Sequence, residues 1–166
     1  MNIFALDNDP RIAAQYHTDK HVIKMILESA QLMAGALWEC GYSGEAAPRN
    51  LYKPTHMNHP CALWARESLS NWFWLRRLLT NLNSEYVYRY NNGNHASYVI
   101  AKQWPNPLIP EYGLRPFAQC MPDEYRNEDP VAAYRAYYLG AKVQGATWKV
   151  RGAPAWVTQA MELQNG

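Results

Sequence analysis

The longest run of regularly spaced apolar residues extends from Asp9 to Cys40 and predicts one long helix. Asp9-Pro10 suits the start of a helix, because Asp accepts hydrogen bonds from free N–H groups and Pro fits the first helical position. Gly41 suits its end. Apolar residues cover most of the circumference: Ile12, Val22, Ile23, Met25, Ile26, Leu27, Leu32, Met33 and Leu37. A helix that is apolar on most sides is usually buried.

One narrow polar stripe interrupts this apolar surface. At about 100° per residue, its members share one arc of the helix: His17, His21, Lys24, Glu28 and Gln31. Buried polar groups need partners, so an inward-facing stripe would form a surface for proton transfer or anion binding. The alternative is that the stripe is the side of the helix that meets water. We expect Glu28 and at least one of the two histidines to be mostly buried and hydrogen-bonded.

Two more strong helices follow along the chain. Pro60 begins an apolar pattern that reaches about Tyr90, and Asp129-Pro130 begins another that reaches about Lys142. Residues 95–104 are suited to a short helix, and the proline-rich segment 104–122 to an ordered loop. No pattern predicts a sizeable sheet. The expected fold is mainly α, a compact single-domain helical bundle over residues 1–166 with long ordered loops.

Polar side chains gather at the start of the second predicted helix: Tyr52, Lys53, His56 and His59. A helix N-terminus binds phosphate through its free N–H groups and the helix dipole. On a continuous helix Glu67 and Asn71 would share one face and extend this cluster. The alternative for that face is an ordinary exposed polar surface.

The spacing of the histidines and cysteines bears on metal binding. The pairs His17/His21 and His56/His59 could hold a transition metal, but Lys24 would repel a cation and no zinc-protease or zinc-finger spacing is present. The sequence therefore predicts no metal and no cofactor. The three cysteines, Cys40, Cys61 and Cys120, are odd in number and form no CxxC. They are expected to be reduced, small buried residues.

The segment 130–160 contains no Asp or Glu, although the whole chain has a net charge of only +2. It contains four cations and five large aromatics: Arg135, Lys142, Lys149, Arg151, Tyr134, Tyr137, Tyr138, Trp148 and Trp156. Such a composition suits a surface that meets phosphates and stacks on bases. The alternative is an aromatic packing helix with solvated cations. No apolar run of about 18 residues predicts a membrane span, and the N-terminus lacks a secretory pattern, so a cytoplasmic location is expected.

Four segments of the chain resemble a family of small proteins encoded in tailed-phage genomes: LDNDPRIAAQYHTDKHVIKMILESAQ, THMNHPCALWARESLSNWFWL, FAQCMPDEY and AYRAYYLGAK. The resemblance covers nearly the whole chain. It implies a phage-encoded protein of the host cytoplasm and assigns no activity.

A fainter resemblance is to the phage-type pyrimidine-dimer DNA glycosylases, which are compact all-α enzymes. It rests on His21 and Glu28, on Asn58-His59-Pro60, and on the Tyr/Lys/Gly-rich segment 134–142. In that family an α-amine attacks the sugar C1′ to form a Schiff base, and a Glu carboxylate assists. An α-amine has an ordinary pKa of about 8, which leaves part of it unprotonated at neutral pH. Asn at position 2 disfavours removal of Met1, so the amine would here belong to Met1. The Arg-Glu pairing of that family is absent from this chain.

The sequence thus predicts an enzyme that acts on DNA or nucleotides, most concretely a glycosylase or glycosylase/lyase for pyrimidine bases. Its predicted catalytic residues are Glu28, His21 and His17. The predicted substrate- or phosphate-binding residues are Lys24, Gln31, Tyr52, Lys53, His56, His59, Glu67, Asn71, Tyr138, Lys142, Trp148 and Lys149. One alternative is a non-catalytic phage protein that binds a nucleotide or cyclic nucleotide. Another is a structural phage protein whose stripe meets another chain. The sequence leaves the oligomeric state open.

Overall fold

The computed structural model describes residues 1–166 and contains seven α-helices and no strand. The helices are α1 (Pro10–Tyr16), α2 (Asp19–Glu39), α3 (Pro60–Glu67), α4 (Leu69–Tyr90), α5 (Ala96–Ala101), α6 (Pro130–Ala141) and α7 (Ala155–Asn165). Two single 3₁₀ turns cover Gly44–Ala46 and Asp123–Tyr125. The expected mainly α, single-domain fold is confirmed. None of the helices combines the length and the apolar character that crossing a membrane requires.

The two longest helices, α2 and α4, form the centre of the bundle. They pack against each other more extensively than any other pair, and α1 packs along α4. Ile26 and Met33 of α2 and Trp72 and Leu75 of α4 are fully buried in one continuous apolar core. Burying one such side chain contributes about 1.5–3 kcal/mol, so the apolar faces of α2 and α4 hold the fold together.

The N-terminal segment is buried although it forms neither helix nor strand. Ile3 and Leu6 have no exposed surface. The side chain of Asn2 accepts hydrogen bonds from the N–H groups of Ile3 (2.7 Å) and Phe4 (3.0 Å), and it donates one to the carbonyl of Cys120 (2.8 Å). These bonds anchor the start of the chain against the bundle.

The single helix predicted from Asp9 to Cys40 is in fact two helices. His17 and Thr18 are extended and separate α1 from α2. Thr18 caps α2, since its hydroxyl accepts a hydrogen bond from the N–H of His21 at 3.3 Å. Thr is a good N-cap residue, so a local signal for the break was present but was outweighed by the continuous apolar spacing. The predicted end is confirmed: Gly41 follows the helix with a positive φ of 84°.

The helix predicted from Pro60 to Tyr90 is also divided in two. Ser68 has extended backbone angles and separates α3 from α4. Its hydroxyl accepts a hydrogen bond from the N–H of Tyr112 (3.0 Å), and the N–H of Leu69 donates to the carbonyl of Pro110 (2.8 Å). The proline-rich segment 104–122 therefore supplies the hydrogen bonds at this break.

Two other local predictions are confirmed by the structure, and one helix was not predicted. A short helix within 95–104 is confirmed as α5, and the start at Asp129-Pro130 is confirmed as that of α6, capped by the Asp129 carboxylate. The C-terminal tail adds α7, which the sequence pattern did not predict. Trp156 of α7 packs its ring 5.8 Å from that of Tyr16, so α7 closes the bundle beside the end of α1.

A buried ionic network joins the break between α1 and α2 to α4. The i, i+4 spacing of Glu85 and Arg89 is typical of a helix ion pair, and Arg89 Nε lies 2.9 Å from Glu85. The Arg89 side chain has no exposed surface, and its Nη1 also donates to Asp19 (3.1 Å) and to the His17 carbonyl (2.7 Å). Arg151 binds the other Glu85 oxygen at 2.6 Å. One guanidinium therefore holds both sides of the α1–α2 break.

We expect Arg89→Ala to lower the free energy of unfolding by about 3–5 kcal/mol, because it leaves buried carboxylates without their partner. Urea unfolding followed by circular dichroism measures this. Arg77→Ala is the matched control: Arg77 lies exposed on the same helix, and its loss should change the free energy by less than about 0.5 kcal/mol. Equal effects of the two substitutions would contradict the assigned role of Arg89.

Candidate functional site

The α-amino group of Met1 lies beside the carboxylate of Glu28. The distance between the amine nitrogen and Glu28 Oε2 is 3.7 Å. The Met1 side chain is only 3% exposed, whereas the residue as a whole is partly exposed. The accessible part of Met1 is therefore its backbone end, which carries the amine. A nucleophilic group and a proton acceptor thus face each other at ionic distance.

Glu28 is held by groups on both of its oxygens. Oε2 accepts a hydrogen bond from the N–H of Asn2 at 3.0 Å, and Oε1 lies 3.7 Å from Lys24 Nζ, one helical turn away on α2. The Glu28 side chain is 13% exposed, whereas that of Lys24 is 60% exposed. The expectation of a mostly buried, hydrogen-bonded Glu28 is confirmed. A carboxylate in this position can take a proton from the amine and return it.

His17 does not share the α2 stripe, because it lies in the break before α2. It is fully buried, its Nδ1 bonds to the Ala13 carbonyl at 2.7 Å, and its Nε2 has no partner. Burial lowers the pKa of His17 to about 3, so the ring is neutral at neutral pH. A catalytic residue must touch substrate, and no part of the His17 ring is accessible. The predicted catalytic role of His17 is therefore wrong.

His21 lies on the stripe and is only partly buried. Its Nδ1 is 2.6 Å from the hydroxyl of Tyr138, and its ring stacks on Phe4 with the centroids 4.5 Å apart. Burial lowers the pKa of His21 to about 4, helped by the positive charges of Lys142, Lys24 and Lys20. The ring is therefore neutral, and the bond to Tyr138 fixes its orientation.

A polar cavity of about 470 Å³ opens beside His21 and Lys24. Its other cations are Lys20 at the start of α2 and Lys142 at the end of α6, and the loop 144–147 completes one side. No Asp or Glu lines it. Lys20 and Lys24 lie in the first turns of α2, where the helix dipole adds to their positive charge, and Lys142 adds a third cation from the end of α6. Together they favour binding of an anion. Neither Met1 nor Glu28 lines the cavity, but Lys24 lines it and also lies 3.7 Å from Glu28, so Lys24 links the cavity to the amine–carboxylate pair.

A second cluster adjoins the amine and consists of His59, Cys61 and Cys120. The two sulfur atoms are 3.0 Å apart, and His59 Nδ1 accepts a hydrogen bond from the N–H of Cys61 at 3.2 Å. Burial and the charge of the Met1 amine lower the pKa of His59, whereas Glu28 raises it. The hydrogen bond from Cys61 lowers the pKa of the Cys120 thiol to about 7. This cluster and the Met1–Glu28 pair are therefore electrostatic neighbours.

The cysteine prediction is correct only in part. All three residues are free thiols, as expected, but only Cys61 is fully buried, while Cys40 and Cys120 are partly exposed. The pairing of Cys61 with Cys120 was not predicted, because 59 residues separate them. The one sequence signal was the position of Cys61 two residues after the histidine of Asn58-His59-Pro60.

Several predicted binding residues have structural roles away from the cavity. Glu67 is exposed and pairs with Arg115 (3.2 Å), whereas Asn71 is buried and donates to the Trp64 carbonyl (2.8 Å). The break at Ser68 removes the common helix face that Glu67 and Asn71 were predicted to share. Tyr52 is also turned away, since its hydroxyl donates to Ser97 of α5 at 3.0 Å.

The remaining predicted binding residues lie in the exposed loop before α3, on α2 and in the C-terminal segment. Lys53 and His56 are exposed, and Gln31 is half-buried on α2. Tyr138 is fully buried, so the prediction that it stacks on a base is wrong.

The side chain of Trp148 and the backbone of Lys149 form hydrogen bonds with the bundle, whereas Lys149 as a residue is exposed. The indole N–H of Trp148 donates to the Tyr16 carbonyl at 2.9 Å, and the backbone N–H of Lys149 donates to Asp19. Much of the aromatic content of the C-terminal segment thus serves packing. Among the predicted residues of that segment, only Lys142 lines the cavity.

Comparison of the chain with protein-family models, curated proteins and solved structures gives no match.

Stability should fall as pH is lowered from 7 to 5, because the pKa values of His17 and His21 in the folded chain lie below the 6.5 of the unfolded chain. In that range the unfolded chain binds more protons, so protonation favours unfolding. The slope is at most about 1.4 kcal/mol per pH unit for each histidine. Urea unfolding at pH 7, 6 and 5 measures it.

His21→Gln should reduce this slope, because it removes one of the two histidines that resist protonation in the folded chain. The matched control is His56→Gln, which removes an exposed histidine bonded to its neighbour Thr55 and should keep the original slope. A flat profile in the original chain would contradict the burial of neutral histidines.

Proposed function

We propose that the protein is a DNA glycosylase with an associated lyase activity, acting on pyrimidine bases with the α-amine of Met1 as nucleophile. The observation that carries the proposal is the 3.7 Å separation between this amine and Glu28 Oε2. Lys24, which lies 3.7 Å from Glu28, links this pair to the lysine-lined cavity. The resemblance of His21, Glu28 and Asn58-His59-Pro60 to the pyrimidine-dimer glycosylases gives the substrate class.

The amine and Glu28 suffice for the covalent chemistry. The unprotonated amine attacks C1′, the glycosidic bond breaks, and the base leaves with the bonding electron pair and takes up a proton. The new C1′ ammonium group transfers a proton to Glu28. Glu28 then protonates the ring oxygen O4′ as the C1′–O4′ bond opens, which leaves a protonated Schiff base. In the lyase step Glu28, a carboxylate again after ring opening, takes a proton from C2′. The C2′–H electron pair forms a C2′=C3′ double bond, and the C3′–O bond breaks to release the 3′-phosphate.

In the proposed function, the cavity binds the DNA backbone. Lys20, Lys24 and Lys142 would contact backbone phosphates beside the nucleotide that is attacked. Lys24 contributes twice, since it both lines the cavity and lies 3.7 Å from Glu28. A base reached by the Met1 amine would have to leave the duplex stack. The neutral His21 ring can donate or accept a hydrogen bond at the cavity wall without carrying charge.

A second candidate function is the non-catalytic binding of a nucleotide or cyclic nucleotide. The cavity volume favours it, because about 470 Å³ lies in the range of small-molecule sites. The modest net charge of +2 also suits a small anionic ligand. The two candidates differ in one respect: only the glycosylase requires the Met1 amine to form a covalent bond.

Borohydride should trap a covalent complex between the protein and duplex DNA that contains an abasic site, because it reduces a Schiff base to a stable amine. Trypsin cleavage after Arg11 should place the adduct on the peptide Met1–Arg11. Glu28→Gln keeps the side-chain shape, but the amide cannot take a proton from the amine and transfer it to O4′. It should reduce base release by roughly 10²-fold or more and leave DNA affinity nearly unchanged.

Lys24→Arg is the control for trapping on a lysine. The substitution keeps the positive charge and removes the primary amine, so the adduct on Met1–Arg11 should persist. An adduct that maps to Lys24 would contradict the assignment of the nucleophile. If the original chain neither releases a base nor forms a trapped complex, the glycosylase proposal is contradicted and the nucleotide-binding alternative is favoured. Thermal shift with nucleotides then tests that alternative.

DNA affinity should fall with rising salt, and Lys142→Ala should lower the slope of log K against log salt by about one, because one phosphate contact is lost. The matched control is Lys102→Ala, since Lys102 is exposed, does not line the cavity and lies over the Tyr98 ring. Its loss should leave the slope unchanged. Equal slopes for the original chain and the Lys142 variant would exclude Lys142 from the binding surface.

A further inference from the structure

His59, Cys61 and Cys120 converge from separate parts of the chain on one small volume. Their potential ligand atoms all lie within 4.8 Å of one another. His59 is the N-cap of α3, Cys61 lies in the first turn of that helix, and Cys120 belongs to the proline-rich segment 104–122. The mechanism proposed above uses none of these three side chains.

The position of Cys120 is fixed by hydrogen bonds on both of its peptide groups. Its carbonyl accepts from the Asn2 side chain at 2.8 Å, and its N–H donates to the Tyr134 hydroxyl at 3.3 Å. Cys61 is buried and held in α3. The two thiols are therefore placed by the fold and do not depend on chain flexibility to meet.

We propose that His59, Cys61 and Cys120 form a binding site for one thiophilic divalent cation, of which Zn²⁺ is the prime example. Two thiolates and one imidazole are a donor set that zinc uses in tetrahedral sites with a fourth, open position. With Zn–S bonds of about 2.3 Å, tetrahedral geometry separates two sulfurs by about 3.8 Å. The present 3.0 Å separation requires a movement of less than about 1 Å.

The His59 ring suits this role. Its Nδ1 accepts a long hydrogen bond of 3.2 Å from the N–H of Cys61. Coordination of a metal through Nδ1 would therefore replace a weak hydrogen bond at the start of α3 with a metal–nitrogen bond. Cys120 and His59 are both partly exposed, so the fourth position is open to water.

The site goes beyond the proposed glycosylase and is tested without DNA. Co²⁺ added to the reduced chain under anaerobic conditions should bind with one equivalent. It should give the thiolate-to-cobalt absorption and the intense visible bands of tetrahedral coordination. Zn²⁺ should displace the cobalt and bleach these bands. Zn²⁺ should also raise the melting temperature of the original chain, because binding to the folded state stabilises it.

Variants assign the ligands. Cys120→Ser and Cys61→Ala should abolish the thiolate–cobalt band, whereas Cys40→Ser, which removes the thiol outside the cluster, should retain it. His59→Ala should weaken binding by more than the roughly 10- to 100-fold that loss of a supporting residue costs, and His56→Ala should not. Circular dichroism verifies that each variant is folded.

The Cys120→Ser variant decides the question if the buried Cys61 variant does not fold. Absence of a thiolate–cobalt band in the reduced original chain would overturn the proposal. A thiolate–cobalt band that persists in Cys120→Ser would also overturn it. The same holds if the spectrum of bound cobalt shows coordination by oxygen ligands alone. Failure of the borohydride experiment alone would leave the metal site standing.

Discussion

The position of the site depends on the hydrogen bonds and ion pairs that the buried guanidinium of Arg89 forms. This guanidinium donates hydrogen bonds to the carboxylates of Glu85 and Asp19. It also donates to the backbone carbonyls of Gln15 and His17. Those carbonyls face Arg89 because the chain leaves α1 at His17 and starts α2 at Asp19. Removing one partner from such a network is costly, since it leaves buried charge uncompensated. Arg89 thereby fixes where α2 begins and which residues its N-terminus presents.

The start of α2 in turn connects the cavity to the amine. Lys20, His21 and Lys24 occupy the first two turns and face the cavity, and Glu28 lies one turn beyond Lys24. Asn2 completes the arrangement, because its backbone N–H donates to Glu28 and its side chain donates to Cys120. The amine of Met1 thus lies beside the Glu28 carboxylate of α2, and it acts electrostatically on the thiol–imidazole cluster that α3 and the segment 104–122 form. Charge on any one of these groups acts on the others.

Helical periodicity was sufficient to predict the part of the site that lies on α2. His21, Lys24 and Glu28 are separated by three or four residues, so their common face follows from helix geometry alone. His17 was placed wrongly, because apolar spacing continues through the break and the hydrogen bonds that favour the break come from Arg89, 72 residues away. The pairing of Cys61 with Cys120 and the position of the Met1 amine likewise depend on long-range packing. Tyr138 is buried because Phe4 and His21 cover its ring, which composition alone does not reveal.

A crystal structure of the borohydride-reduced complex with abasic duplex DNA tests the central claim most directly. We expect continuous electron density from C1′ of the opened sugar to the backbone nitrogen of Met1, with Glu28 in contact with that nitrogen. We also expect a flanking phosphate in the cavity between Lys24 and Lys142. Density that joins the sugar to a lysine side chain, or DNA bound on a face away from Glu28, would contradict the claim.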